Sequence, residues 1–151
     1  MFVGPVTPDL EKIAELADSI PKGSCVLELG GYGTYSVSLH RRTDKLVVIQ
    51  PDARLLRCLM VNAELSQRQI QACNAWVTER NIIMFSGQLK ESDGNHHPDD
   101  ELNLVKLSQI TEATKFEFTH LVVHRPDFLE QFQIDYPDFV AVCTVLKTYS
   151  D

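Results

Sequence analysis

Three groups of residues in this chain have types and spacing that could do chemistry. The first is Glu28 with Gly30, Gly31 and Gly33, inside the stretch CVLELGGYGTYS from Cys25 to Ser36. An acid ending an apolar run, followed by a glycine turn and a helix N-terminus, forms a cradle for a nucleotide-like cofactor. Glycine turns with φ > 0 and lets a ligand approach the backbone where a Cβ would obstruct it. The second group is Gln50, Pro51 and Asp52, at the end of the apolar run KLVVI. The third is His120 and His124, which flank Leu121-Val122-Val123, with Asp127 close behind. In a strand the two histidines share one face. His124, at a strand end, is placed to act as a general base.

These groups need elements to position them. Cys25–Glu28 and Lys45–Ile49 read as buried strands, and Thr34–His40 between them as a short helix. Pro51-Asp52 opens a second helix, with Leu55, Leu56, Leu59, Met60 and Ala63 on one stripe. Thr7-Pro8-Asp9 starts an earlier helix, with threonine as cap and proline in the first turn. Further along, Ile70–Val77 and Ile82–Phe85 are expected to form a hairpin across Glu79-Arg80-Asn81. Leu102–Leu107, His120–His124 and Phe139–Leu146 read as later strands, with short helices up to Lys115 and over 127–133. Residues 91–101 (ESDGNHHPDDE) form a breaker-rich loop, expected to be a mobile excursion. Alternating strands and helices in a single domain, 1–151, predict an α/β fold: three layers, a largely parallel sheet with helices on both faces. Ligands in such sheets sit at the carboxyl ends of the strands, where the strand order reverses.

Composition narrows the function. The chain has 151 residues and a formal net charge of −7. Its lysines and arginines are scattered, which argues against a nucleic-acid footprint. Its four cysteines, Cys25, Cys58, Cys73 and Cys143, form no C-x-x-C pair. They read as reduced, buried thiols of a cytoplasmic protein. No signal peptide and no membrane span is expected.

From Cys25 to Glu64 the chain resembles class I S-adenosylmethionine-dependent methyltransferases, most closely the FkbM type. The likeness rests on V-L-E-L-G-G-Y-G-T-Y-S (26–36) and on V-I-Q-P-D-A-R-L-L-R-C-L-M-V-N-A-E-L (48–65). Asn74-Ala75-Trp76-Val77 and the segment 104–110 add weaker matches. The resemblance implies a Rossmann-like methyltransferase fold and S-adenosylmethionine as cofactor. It implies O-methylation of a small molecule or sugar, with a small-molecule acceptor as partner. Glu28, Gly30, Gly31 and Gly33 would hold the cofactor, Gln50 with Asp52 nearby would meet the ribose, and His124 or Asp127 would assist the acceptor.

The chain departs from that family at three functional places. Gln50 stands where the family has the ribose-binding acid, and an amide lacks the charge that strengthens that pair. The glycine turn is one residue shorter. The later D-x-E-G-like signature is replaced by His124-Arg125-Pro126-Asp127, with its acid lost or displaced to Asp127. The sequence also ends after about the fifth strand, the expectation for a shortened version of the fold. These departures support an alternative, a catalytically inactive binding or assembly module. An uncovered sheet edge would then offer a homo-oligomer contact or a protein partner. A dinucleotide site on Gly31-Tyr32-Gly33-Thr34-Tyr35-Ser36 is a further reading, with serine where the third glycine should pack. His120 and His124 lack the further ligands a metal site needs, the nearest being His96 and His97 in the polar loop; no metal is expected. Tyr32 and Tyr35 could cover a ligand or pack against neighbouring loops.

Overall fold

A computed structural model describes residues 2–150. Five parallel strands form the sheet, in the order β3-β2-β1-β8-β9. They are β1 (Val26–Leu29), β2 (Leu46–Ile49), β3 (Gln71–Cys73), β8 (His120–Val123) and β9 (Thr144–Lys147). The three inner strands are apolar with almost no interruption, as expected where a parallel sheet is covered on both sides. Alternate residues divide between two cores. Leu27, Leu29, Val47, Ile49, Leu121 and Val123 pack with Trp76, Phe128 and Phe132. Val26, Leu46, Val48 and Val122 pack on the other face with Ile20, Val37, Leu59 and Ala63. The expected α/β architecture, a Rossmann-like sheet flanked by helices, is what the chain adopts. No helix among the described residues is long and apolar enough to cross a membrane.

The helices follow local signals. α3 (Ala53–Leu65) starts at Asp52, whose carboxylate accepts from the N–H groups of Arg54 and Leu55. α2 (Thr34–Arg42) starts at Gly33 with φ 105° and no side-chain cap, and its last turn holds His40, Arg41 and Arg42, matched to the negative end of the dipole. α1 (Leu10–Asp18) is capped by Asp9 and not by Thr7, because the Asp9 carboxylate accepts from Lys12 N–H. α4 (Leu107–Thr114) and α5 (Pro126–Asp135) complete the flanking helices, with proline at the start of α5.

Several sequence expectations need correction. The run 70–77 is not one strand of a hairpin closed at 79–81. β3 adds to the main sheet, while β4 (Trp76–Val77) pairs in parallel with β7 (Leu104–Val105). The hairpin joins β5 (Ile82–Phe85) to β6 (Gln88–Glu91) through Ser86 and Gly87, with φ 50° and 77°. That pair of positive φ values is the turn matching the twist of an antiparallel pair. Glu79-Arg80-Asn81 is instead a tethered connection: the Arg80 guanidinium donates to Asp135 and to Gln131. The apolar run 139–146 is likewise not one strand. Pro137 opens a short helix, α6 (Pro137–Val142), and only Thr144–Lys147 joins the sheet, as an edge strand with Thr144 and Lys147 exposed. The cysteines are free and half-buried rather than fully buried. Residues 91–101 are pinned at several points. Ser92 Oγ meets His96 Nδ1, His96 Nε2 meets Glu101 at 3.2 Å, and Pro98–Asp100 form a 3-10 turn.

Candidate functional site

β1 is where the strand order reverses: β2 and β3 lie on one side of it, β8 and β9 on the other. The chain leaving β1 enters α2, whose Val37 and Leu39 belong to one core. The chain leaving β8 enters α5, whose Phe128 and Phe132 belong to the other. The two connections diverge and leave a crevice between them, the position where open α/β sheets bind ligands. A cavity of about 530 Å³ lies there, bordered by Gly31, Thr34, Tyr35, His124, Arg125 and Thr148. That size is within the ordinary range for small-molecule sites. Residues 5–9 of the N-terminal segment form its outer wall. This segment is clamped: Val3 N–H donates to Asn62 Oδ1 at 2.7 Å, Asn62 Nδ2 donates back to Val3 O at 2.8 Å, and Tyr32 O–H donates to Val6 O at 2.9 Å.

The register of β1 with β8 brings Glu28 beside Val122 and Leu29 beside Val123, so His124 leaves the sheet next to the glycine turn. Glu28 is fully buried. Its Oε1 accepts from Ser36 O–H at 2.6 Å, and its Oε2 meets His124 Nε2 at 2.6 Å. The other ring nitrogen, Nδ1, meets Thr148 Oγ1 at 2.8 Å. The Tyr35 ring lies 5.1 Å from the imidazole and limits its rotation. Burial pushes the Tyr35 phenol up, with Asp9, Tyr32 and Glu28 adding to the shift.

Each glycine of the turn answers to a protein neighbour. A Cβ on Gly31 would stand 2.9 Å from His124 Nε2 and 3.2 Å from Glu28 Oε2. On Gly30 it would meet the Phe128 ring at 2.6 Å, and on Gly33 the Leu59 Cα at 3.1 Å. All three have φ between 87° and 105°, a region costly for any residue with a side chain. The turn therefore admits an imidazole and closes two packing contacts.

Gln50 is 1% exposed, and both ends of its amide are engaged. Its Nε2 donates to Gly31 O at 2.5 Å and its Oε1 accepts from Asp52 N–H at 3.0 Å. Asn74 Nδ2 donates to Gln50 O and Pro51 O, which ties the end of β2 to the residue after β3. Asp52 caps α3 and does not itself line the cavity. Asp127 holds the Arg125 guanidinium through two contacts at 2.9 Å and accepts from Leu89 N–H at 3.0 Å. Of the residues singled out from sequence, Glu28, Gly31 and His124 come together at the crevice. Gly30 and Gly33 pack on either side of the turn, Gln50 braces it from behind, and Asp52 and Asp127 serve neighbouring elements. Thr148 escaped the sequence reading. Its only signal was a hydroxyl residue just after a strand, and no local pattern links it to His124.

The family resemblance asks Glu28, the glycine turn and Gln50 to hold an adenosyl cofactor. The acid in β1, Glu28, has both oxygens engaged by Ser36 and His124, and the amide after β2, Gln50, has both ends tied to main chain. The cavity borders β1, β8 and β9, not the end of β2. The fit to such a cofactor is poor. Neither a protein-family model nor a curated protein matches the chain. Among the described residues, no group of three or more histidine, cysteine or acidic side chains could hold a metal ion.

Proposed function

We propose that this chain is a small-molecule-binding protein on a methyltransferase-type scaffold, and that it does not transfer methyl groups. The observation that carries this reading is the sealed carboxylate of Glu28, held by Ser36 and His124 and removed from any ligand. The crevice at the reversal of strand order remains, and it is where such a protein would take its ligand. Calorimetric titration with S-adenosylmethionine and with its demethylated product tests the reading. The expected result is no saturable heat and no melting shift at millimolar ligand. Tight binding that Glu28→Ala abolishes would overturn it.

A second reading, O-methylation of a small molecule or sugar with S-adenosylmethionine as cofactor, draws its support from the position of the crevice beside the glycine turn. It requires Gln50 to release Gly31 O and turn toward the ligand. The same titration decides between the two.

A further inference from the structure

Thr148, His124 and Glu28 form one unbroken line: hydroxyl, imidazole, buried carboxylate. We propose that Thr148 is a nucleophile, activated by His124, that accepts the acyl group of a short-chain carboxylic ester bound in the crevice. The proposal rests on the crevice being a ligand site and goes beyond it in assigning chemistry.

In the tautomer with its proton on Nε2, the imidazole makes the line a relay from hydroxyl to carboxylate. With Glu28 ionised, its two oxygens accept from Ser36 O–H and from His124 Nε2–H, both at 2.6 Å. The imidazole then carries its lone pair on Nδ1, which accepts from Thr148 O–H at 2.8 Å. The competing acceptor for that hydroxyl, Val123 O, is 3.5 Å away. A nucleophile within hydrogen-bond reach of a base, which a third group orients, is the geometric signature of an activated hydroxyl. The orienting acid is fully buried and the imidazole side chain is 10% exposed, so water competes little for either bond. Thr148 and His124 both line the cavity.

The step balances as follows. Thr148 Oγ attacks the ester carbonyl carbon while its proton passes to His124 Nδ1. The tetrahedral oxyanion collapses, the carbon–alkoxide bond breaks, and the alcohol leaves with the proton from Nδ1. Water, deprotonated by the same nitrogen, then cleaves the acyl-threonine to free acid and restores the hydroxyl. Lys12 Nζ donates to the main-chain carbonyl of Thr148 at 2.8 Å, which ties the nucleophile's residue to α1 at the cavity wall. Val6, Ile13, Leu55, Tyr32 and Tyr35 give the cavity apolar walls, which suit a short acyl chain.

The test uses the full chain with p-nitrophenyl butyrate, following phenolate release and the mass of the protein. One butyryl group mapped to Thr148 is expected, with Thr148→Ser retaining the reaction and Thr148→Val abolishing it. His124→Gln should slow acylation by roughly 100-fold or more, the usual contribution of a general base. Circular dichroism confirms that each variant is folded, and the two Thr148 substitutions keep the test valid should His124→Gln unfold. Acylation confined to lysines, or a Thr148→Val variant as fast as the parent, overturns the proposal. Binding of the unreactive butyranilide, seen by ligand-observed NMR and blocked by Tyr35→Ala, without acylation of Thr148 also overturns it, yet leaves the crevice as a ligand site. Neither binding nor acylation removes both.

Discussion

Replacing His124 by leucine should strand a charge in the interior. Glu28 is 0% exposed and would keep only the Ser36 hydroxyl as a donor. Removing one partner of a buried pair costs about 3–5 kcal/mol, since the remaining charge is left uncompensated. For a chain of this size each kcal/mol lowers Tm by roughly 2–4 °C, so a fall of roughly 6–20 °C is expected. The stranded carboxyl escapes part of that cost by binding a proton. The sign follows: the folded variant then holds a proton that the unfolded chain releases above about pH 4.3, so stability falls as pH rises, by up to about 1.4 kcal/mol per unit. Adding Glu28→Gln removes the charge, so the double variant should recover much of the loss and show no such slope. Trp76, the only tryptophan and fully buried, reports unfolding in urea by its fluorescence. A His124→Leu variant that loses less than about 1 kcal/mol and is flat between about pH 5 and pH 8 would refute the argument that the pair is desolvated and coupled.

Gln50→Leu should cost about 1–3 kcal/mol in urea unfolding, because Gly31 O and Asp52 N–H lose their partner in a buried place. Gly33→Ala and Gly87→Ala separate clash from conformation. Both glycines have positive φ, but only Gly33 has a backbone neighbour near the added Cβ, at 3.1 Å. Gly87→Ala should therefore cost about 1–2 kcal/mol in the same assay, and Gly33→Ala distinctly more. Burial, and for His40 also Arg68, lowers the two imidazoles His40 and His120 from their ordinary value of 6.5. The unfolded chain then binds these protons more readily, so stability declines as pH falls below about 6.5. The double substitution His40→Gln/His120→Gln should flatten that limb of a Tm-against-pH profile.

The strand–turn–helix around Glu28 and the strand–helix around Gln50 were legible because each is local: an apolar run, then a residue that ends it. Asp52 announced α3 through its own capping chemistry. The hairpin was misplaced because Glu79-Arg80-Asn81 is as polar as any turn, while Ser86-Gly87 carried the residues that positive φ requires. Arg80 has a distant reason to be there, the Asp135 carboxylate 55 positions away. The run 139–146 misled because apolar content does not distinguish a strand from a helix; Pro137 was the deciding residue. The site was half legible. Glu28 and His124 were each singled out, but as parts of separate devices. Their hydrogen bond spans 96 positions and follows only from the parallel register of β1 and β8.

That register also decides what Gly31 is for. In a ligand cradle, a glycine keeps space free for an incoming molecule. Here the space beside Gly31 is filled by the imidazole that follows the neighbouring strand, and an added Cβ would press on both members of the pair, 2.9 Å from His124 Nε2 and 3.2 Å from Glu28 Oε2. Gly31→Ala should thus carry two costs: about 1–2 kcal/mol for a side chain at φ 87°, and a further loss from prying the pair apart. The second cost exists only while the pair exists. In the His124→Leu, Glu28→Gln background, Gly31→Ala should cost close to the conformational part alone, and the difference between the two backgrounds measures how tightly the turn is fitted to the imidazole. Equal costs in both would mean that the glycine serves only the bend of the chain, and that the approach of His124 is incidental to it.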